Sequence, residues 1–434
     1  MKKRTQHLVR FSLLIAIVLL CGHSPGYSQT PYATYFHSST LRLEVVFTGD
    51  ADSMQVSFLQ LKQDPFWGGP RKTLLSPFDY GDFKVEVLLP EDDQLLYSRG
   101  FSTLFEEWQT TAEAKKIKRS FLQSIPIPMP AQEVVVRLYK RSWSGQWEAK
   151  WEQLMAPDNP MIIQESPKNI EVYTQLKSDL PNPVELCFVA EGYSANENDK
   201  FQEDLAAFSD FLFSQAPFDE LISYFTVRGV FVASEQSGTD IPGKREYRST
   251  ALESSFYTFG SERYLTTSAV PELRDVASVV PYDALVVLVN TEKYGGGGIY
   301  NLYAIQSAHH ALSKIVFVHE FGHSFGGLAD EYYSSSVSYE NFFNLEVEPW
   351  QPNITTRVEF ETKWGDFLDA NIPVPTPRDE KFANKVGVFE GGGYVSKGVF
   401  SPVMDCRMKS NSAPAFCPVC KESIREMVLY LSDQ

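Results

Sequence analysis

This sequence of 434 residues has few basic side chains, few cysteines and few histidines. It has 39 lysine and arginine residues but 55 aspartate and glutamate residues, and the formal net charge is -16. Such a chain is a poor partner for nucleic acid, because phosphate contacts need clustered lysine and arginine. Since 43% of the residues are hydrophobic and 22% are charged, the composition excludes a disordered or collagen-like chain. The length predicts two or three domains.

The sequence also lacks an apolar run long enough to cross a membrane, which takes about 20 residues. Residues 11–20 form a short apolar run that follows four basic side chains, which is typical of a secretory signal peptide. Small residues at Ser28 and two positions earlier predict cleavage after Ser28, so that residues 1–28 are removed. A lipid anchor on Cys21 is the alternative, although the bulky Leu20 before it is unlike such sites. We therefore expect an extracytoplasmic protein that is secreted, periplasmic or held at the cell surface.

The five cysteines become four once the predicted leader is removed. Cys406, Cys417 and Cys420 lie close together in the chain, so a disulfide from Cys406 to one of the other two is predicted for an extracytoplasmic protein. Two alternatives stay open: free thiols, or a metal-binding knuckle built on Cys417 and Cys420. Such a knuckle needs a second pair of ligands, and only Cys406 is near. Cys187 lies in an apolar run and is predicted to be a buried thiol.

Residues 29–160 have the pattern of an antiparallel β-domain. Apolar and polar side chains alternate over residues 41–45 and 83–87, and less strictly over residues 134–139. This alternation predicts half-buried strands, because successive side chains of a strand point to opposite faces. Several short strands separated by Gly, Pro and Asp turns predict a β-sandwich.

Residues 161–434 have a different pattern. Residues 184–190, 225–232 and 284–289 form short continuous apolar runs, which are typical of buried strands. Residues 196–213 place apolar side chains on one helical face. The order of strands and helices predicts an α/β domain, so the whole chain is expected to be a two-domain α+β protein.

A His-Glu-x-x-His motif at residues 319–323 carries the clearest chemistry. Its spacing places His319 and His323 on one face of a helix, where one metal ion can bind both imidazoles. Glu320 projects beside them and can deprotonate a water molecule without binding the metal itself. The pair Gly326-Gly327 follows where such a helix must end and turn the chain back. We therefore predict one catalytic zinc per chain, with His319 and His323 as ligands and Glu320 as the general base.

A third protein ligand is expected, because catalytic zinc usually has three and keeps one position open. The metzincin pattern would place a histidine at Ala329, which cannot bind a metal. The glycine pair shifts the turn by one residue, so Asp330 is the predicted third ligand. Glu331 and a glutamate on a later helix are the alternatives. Whichever of Asp330 and Glu331 does not bind zinc is expected to brace a ligand histidine or a helix end.

The run HEFGHSFGGLADEY at residues 319–332 resembles the active-site motif of the IgA-protease-type zinc metallopeptidases of gut bacteria. Residues 238–242, 250–264 and 405–420 are also similar to segments of that family, so the resemblance covers most of the chain after the leader. It implies an N-terminal β-domain followed by a catalytic domain. The motif itself predicts a zincin-like fold related to the metzincins for that second domain.

Three features around the motif carry further predictions. Metzincin-like sites have a methionine turn beneath the zinc, and Met408 is the first choice for it, with Met404 as the alternative. The glycine-rich residues 295–298 precede residues 299–304, which are expected to form an edge strand that pairs with substrate backbone; a flexible turn is the alternative. Tyr394 follows another glycine-rich segment and is a candidate donor to the oxyanion of the reaction.

Together these features predict a secreted zinc metalloendopeptidase that hydrolyses peptide bonds of a protein or glycoprotein substrate. The resemblance makes an immunoglobulin A-type target possible. We expect no nucleic acid, no organic cofactor and no integral membrane span. The alternatives are a cell-surface binding protein with a vestigial metal site and a metal-dependent amidase acting on cell-wall peptide. The intact Glu320 speaks against the binding protein, because a structural zinc needs no base.

Overall fold

The computed structural model describes residues 31–164, 169–333 and 342–434. The predicted signal peptide, its cleavage site at Ser28 and the alternative lipid site at Cys21 therefore lie outside the described residues. Within the described residues, no helix is both long enough and apolar enough to span a bilayer.

Residues 32–163 form two sheets and two short helices. The elements are α1 (Tyr32–Tyr35), β1 (Phe36–Gly49), β2 (Met54–Asp64), β3 (Phe83–Leu88), β4 (Leu95–Phe101), α2 (Leu104–Gln109), β5 (Arg119–Pro130), β6 (Val134–Arg141), β7 (Trp147–Met155) and β8 (Ile162–Ile163). One sheet has the strand order β5-β1-β2-β8 and the other has the order β4-β3-β6-β7. All pairings are antiparallel except that of β2 with β8.

The three alternating segments of the sequence lie in β1, β3 and β6, which confirms those strand predictions. The alternating residues of β3 and β6 bury one face, as predicted, whereas residues 41–45 of β1 are buried on both faces. Both sheets place their apolar side chains in one continuous core, which also includes side chains of the second part of the chain. Leu43, Val87 and Val136 illustrate this, since each is completely buried.

The second part of the chain contains a larger sheet and most of the helices. The elements are β9 (Glu171–Leu176), β10 (Val184–Glu191), α3 (Asn198–Leu212), α4 (Phe218–Leu221), β11 (Phe225–Phe231), α5 (Val270–Ala277), β12 (Ala284–Val289), β13 (Gly296–Ile299), β14 (Tyr303–Ser307), α6 (Ser313–Gly326), β15 (Phe389–Gly392), β16 (Val395–Ser401) and α7 (Pro418–Leu431). The large sheet has the order β13-β14-β12-β10-β11-β9. Its four central strands are parallel, and the edge strands β13 and β9 are antiparallel to their neighbours.

The predicted buried strands and amphipathic helix of this part are confirmed as β10, β11, β12 and α3. Every residue of β10 is buried, as expected for a central strand covered on both faces. The chain therefore has a mixed α/β architecture with several sheets, consistent with two domains.

A buried arginine connects the two parts. Arg42 of β1 is 2% exposed and lies 3.0 Å from the Asp64 carboxylate and 3.4 Å from that of Glu44. Its guanidinium also pairs with Asp275 of α5. Because a buried guanidinium is costly unless its donors are satisfied, this network ties the first sheet to α5 in one arrangement.

Candidate metal centre

Helix α6 carries the His-Glu-x-x-His motif and is anchored by its apolar side. Phe317, Phe321 and Phe325 are buried on that side, and the rings of Phe321 and Phe325 stack. Gly327 ends the helix in the left-handed conformation with φ 65°, which favours glycine. The Gly327 N–H donates to the His323 carbonyl, which is the bond of an αL C-cap, and the Leu328 N–H donates to the Gly322 carbonyl. The chain therefore turns back along the helix at the predicted place.

This turn brings Asp330 to the two histidines. The Nε2 atoms of His319 and His323 are 3.1 Å apart, and Asp330 Oδ1 lies 3.1 Å from the first and 3.3 Å from the second. Ligands at about 2.0–2.1 Å from a tetrahedral zinc are about 3.3–3.4 Å apart. The three atoms therefore have the mutual spacing of three ligands of one ion.

The hydrogen bonds of the histidines orient them for metal binding. His319 Nδ1 donates to the Arg407 carbonyl at 2.9 Å, and His323 Nδ1 donates to the Leu328 carbonyl at 2.6 Å. Because a carbonyl only accepts, each Nδ1 carries a proton, and Nε2 is the ring atom that is left to bind a metal. Asp330 Oδ1 is buried and forms ion pairs with both Nε2 atoms. The two Nε2 atoms and Asp330 Oδ1 thus converge on one point, which is the arrangement that a bound cation satisfies.

The charges of the three groups are strongly linked. Burial disfavours the charged imidazolium, yet the Asp330 carboxylate raises the pKa of His319 and raises that of His323 to about 9. Burial would raise the pKa of Asp330, but His323 and His319 hold it well below its usual range. A metal must therefore displace protons from the imidazoles, so its binding weakens as the pH falls.

Glu320 lies beside this triangle. One of its carboxylate oxygens is within 4.8 Å of a ring nitrogen of each histidine, so these three side chains also form a group that could hold a metal. Burial raises the pKa of Glu320, although His319 and His323 oppose the shift. A carboxylate with a raised pKa beside an open metal position is suited to accept a proton from water and pass it on.

Glu331 faces away from the triangle. It is completely buried, and its Oε1 accepts from Asn353 Nδ2 at 3.0 Å and lies 3.2 Å from Cys420 Sγ. Asp330 is instead braced by Tyr394, whose hydroxyl donates to Oδ2 at 2.5 Å. The hydroxyl of Tyr394, predicted as an oxyanion donor, is thus directed at a candidate metal ligand.

Met408, the first choice for the methionine turn, lies beneath the ligand helix. It is completely buried, and its Sδ would be 2.7 Å from a Cβ added at Gly322. The Met408 carbonyl accepts from the Glu331 N–H at 2.8 Å, which joins this turn to the segment that carries Asp330.

The predicted edge strand at residues 299–304 is wrong in position. The edge of the sheet is β13, and β14 with its Tyr303 and Ala304 lies one strand further in. The glycines explain the shift, because β13 lies directly against α6. A Cβ on Gly298 would be 2.2 Å from the Glu320 carbonyl oxygen, and one on Gly296 would be 2.9 Å from Val316 Cγ1. The glycines therefore permit a close strand–helix contact, and the flexible turn is not observed.

Replacing Gly298 with alanine is expected to displace Glu320 or β13. Overpacking of this kind costs about 1–3 kcal/mol of folding stability, and it should also reduce catalysis because it acts on the backbone of Glu320. Denaturant unfolding and a peptide-cleavage assay measure the two effects. Gly365→Ala is the control, because a Cβ there has no atom within 4 Å. Equal stability and activity of the two variants would contradict the packing argument.

The predicted disulfide is absent. Cys187, Cys406, Cys417 and Cys420 are all free and buried, which confirms the prediction for Cys187. Cys406 Sγ and Cys420 Sγ are 3.8 Å apart, whereas a disulfide bond is about 2.05 Å long.

A cleft of about 790 Å³ opens onto the metal centre and is lined by both parts of the chain. The first part of the chain contributes Asp82, Ser102 and Glu107 to its lining, and the second part contributes Arg263. Sequence reasoning singled out none of these four residues. Arg263 lies in the family-like segment 250–264, whereas no local motif distinguishes Asp82, Ser102 and Glu107 from other polar side chains.

Comparison with known families agrees with these features. Residues 174–382 and 378–428 match a family described as IgA Peptidase M64. Residues 31–152 match one described as Peptidase M64 N-terminus. A search of the curated proteins finds no match. The first family match by itself spans more than half of the chain and includes the whole candidate metal centre.

Proposed function

The chain belongs to the IgA peptidase M64 family and is therefore a metallopeptidase, and we propose that it is a secreted zinc endopeptidase with Glu320 as its general base. The observation that carries this proposal is the triangle of His319 Nε2, His323 Nε2 and Asp330 Oδ1, with edges of 3.1, 3.1 and 3.3 Å. Two imidazoles and one carboxylate are a ligand set typical of catalytic zinc, with one position left for water or substrate.

A zinc ion held by His319, His323 and Asp330 would supply Lewis acidity and would lower the pKa of its water to about 7. Glu320 then accepts a proton from the attacking water and delivers it to the leaving amine. Asp330 contributes its charge, and the Tyr394 hydroxyl and the backbone carbonyls behind the histidines fix the directions of the ligands.

The cleft offers a place for an extended peptide. Strand β13 is the edge of the large sheet and lines the cleft beside α6. The Leu265 N–H donates to the Gly296 carbonyl at 3.3 Å, so that part of the β13 edge already has a partner. We therefore infer that a substrate strand pairs with β13 nearer to Gly298 and Ile299. Backbone pairing of this kind favours a peptide substrate over a pure glycan. The preference for particular substrate side chains then depends on the other residues that line the cleft.

We also propose that residues 29–160 form a β-sandwich that completes the cleft of a zincin-like, metzincin-related domain at residues 161–434. Two sheets whose apolar side chains pack in one core, together with side chains of the second part, support the sandwich. Asp82 lines the cleft and accepts a hydrogen bond from Trp350 Nε1 at 2.9 Å, so the first part both builds and braces the site. Secretion after cleavage at Ser28 stays a prediction from the leader pattern.

Metal analysis combined with proteolysis tests the function. We expect at least one zinc per purified chain and internal cleavage of peptides in a mixed library. A chelator should abolish cleavage, and added zinc should restore it, because the ligands recapture the ion. Zinc without cleavage of any peptide or intact glycoprotein would favour the binding protein. Cleavage confined to cell-wall peptide would favour the amidase.

A further inference from the structure

A second group of metal-ligating side chains lies behind the first. Glu331, Cys406, Cys417 and Cys420 each offer one ligand atom, and these atoms are all within 4.8 Å of one another. Glu331, Cys406 and Cys420 are completely buried, and Cys417 is 6% exposed. The proposed hydrolysis uses none of the four side chains.

The spacing of this group is that of ligands around one ion. Cys406 Sγ and Cys420 Sγ are 3.8 Å apart, and Cys420 Sγ is 3.2 Å from Glu331 Oε1. Thiolates at about 2.3 Å from a tetrahedral zinc lie about 3.8 Å apart. Three sulfurs and one oxygen make a closed set of four, which is typical of a structural zinc site.

The surroundings support the same assignment. The Cys417 N–H donates to Cys406 Sγ at 3.2 Å and the Cys420 N–H donates to Cys417 Sγ at 3.5 Å, and such bonds stabilise thiolates. Asn353 holds Glu331 Oε1, while Glu331 Oε2 is buried without a hydrogen-bond partner among the described residues. An unpaired buried carboxylate oxygen is costly, and a cation removes that cost.

We propose that Cys406, Cys417, Cys420 and Glu331 bind a second, structural zinc ion. Its ligands come from three segments: the residue after Asp330, the methionine turn and the start of α7. The thiols release their protons when the ion binds, and Lys409 interacts with Glu331 and Cys406 and balances part of the remaining negative charge.

This ion would act on the candidate catalytic centre through the backbone. Arg407, next to Cys406, orients His319 through its carbonyl at 2.9 Å. Glu331, next to Asp330, donates its N–H to the Met408 carbonyl at 2.8 Å. The second zinc therefore positions one ligand histidine and the ligand aspartate without touching substrate.

Zinc stoichiometry and cobalt spectroscopy test the site on the full purified protein. We expect about two zinc ions per chain, about one in Cys420→Ser, and about two in Cys187→Ser, which removes a buried thiol elsewhere. After replacement of zinc by Co²⁺, the thiolate ligands should produce a strong near-ultraviolet charge-transfer band. The band should persist in His323→Ala, which affects only the first site, and disappear in Cys420→Ser.

Other results would overturn the proposal independently of the peptidase activity. One zinc per chain in the wild-type protein, with no thiolate band in the cobalt form, would exclude the second ion. Thiol labelling of the denatured protein that rises only after reduction would show a disulfide in its place. If Cys420→Ser does not fold, the zinc content of the wild-type protein and the cobalt spectrum of His323→Ala still show whether the second ion binds.

Discussion

Replacing Glu320 with glutamine is expected to lower kcat about 10²–10⁴-fold, which is the usual contribution of a general base. Glutamine keeps the size of the side chain but cannot accept the proton of the attacking water. Metal content should not change, because in the proposed centre His319, His323 and Asp330 hold the ion and Glu320 acts on the water. Elemental analysis and peptide-cleavage kinetics on the same sample measure both quantities.

The matched control for this prediction is Glu203→Gln, which removes a carboxylate from the exposed face of α3. It should retain full activity. Undiminished turnover of Glu320→Gln would exclude the proposed base, and loss of its metal would show that Glu320 is a ligand instead.

Replacing Asp330 with asparagine is expected to abolish hydrolysis by releasing the catalytic metal. In the proposed centre the carboxylate supplies the third ligand atom, and its negative charge faces His319 and His323. Loss of a bracing group outside the ligands typically weakens metal binding 10–100-fold, so loss of a ligand should weaken it more than 100-fold. Titration of the metal-free protein with zinc measures this affinity, and excess zinc should restore only part of the activity.

Asp369→Asn is the control, because it removes an exposed aspartate that pairs only at the surface with Lys385. Its metal affinity and cleavage rate should equal those of the wild-type protein. In Asp330→Asn, the cobalt band assigned to the cysteine cluster should remain. Retention of both metal affinity and activity in Asp330→Asn would show that another residue is the third ligand.

Local sequence patterns determined much of this molecule. The spacing of four between His319 and His323 places both imidazoles on one helical face, and only a residue such as Gly327 readily adopts the φ of 65° that turns the chain back. Continuous apolar runs became the buried strands β10, β11 and β12, and alternating runs became strands of the first two sheets. These features depend on residues within a few positions of each other, so a single sequence contains the information.

Tertiary structure decided the rest, because it joins residues far apart in the chain. The glycines of β13 gave no sign that Gly298 lies against the backbone of Glu320. Cysteine spacing predicted a disulfide, whereas the fold inserts Glu331 among three thiols that stay free. The partners of His319 and Asp330, the Arg407 carbonyl and the Tyr394 hydroxyl, lie 88 and 64 positions away. Local periodicity does not record such distant contacts, and they set the geometry on which the proposed chemistry depends.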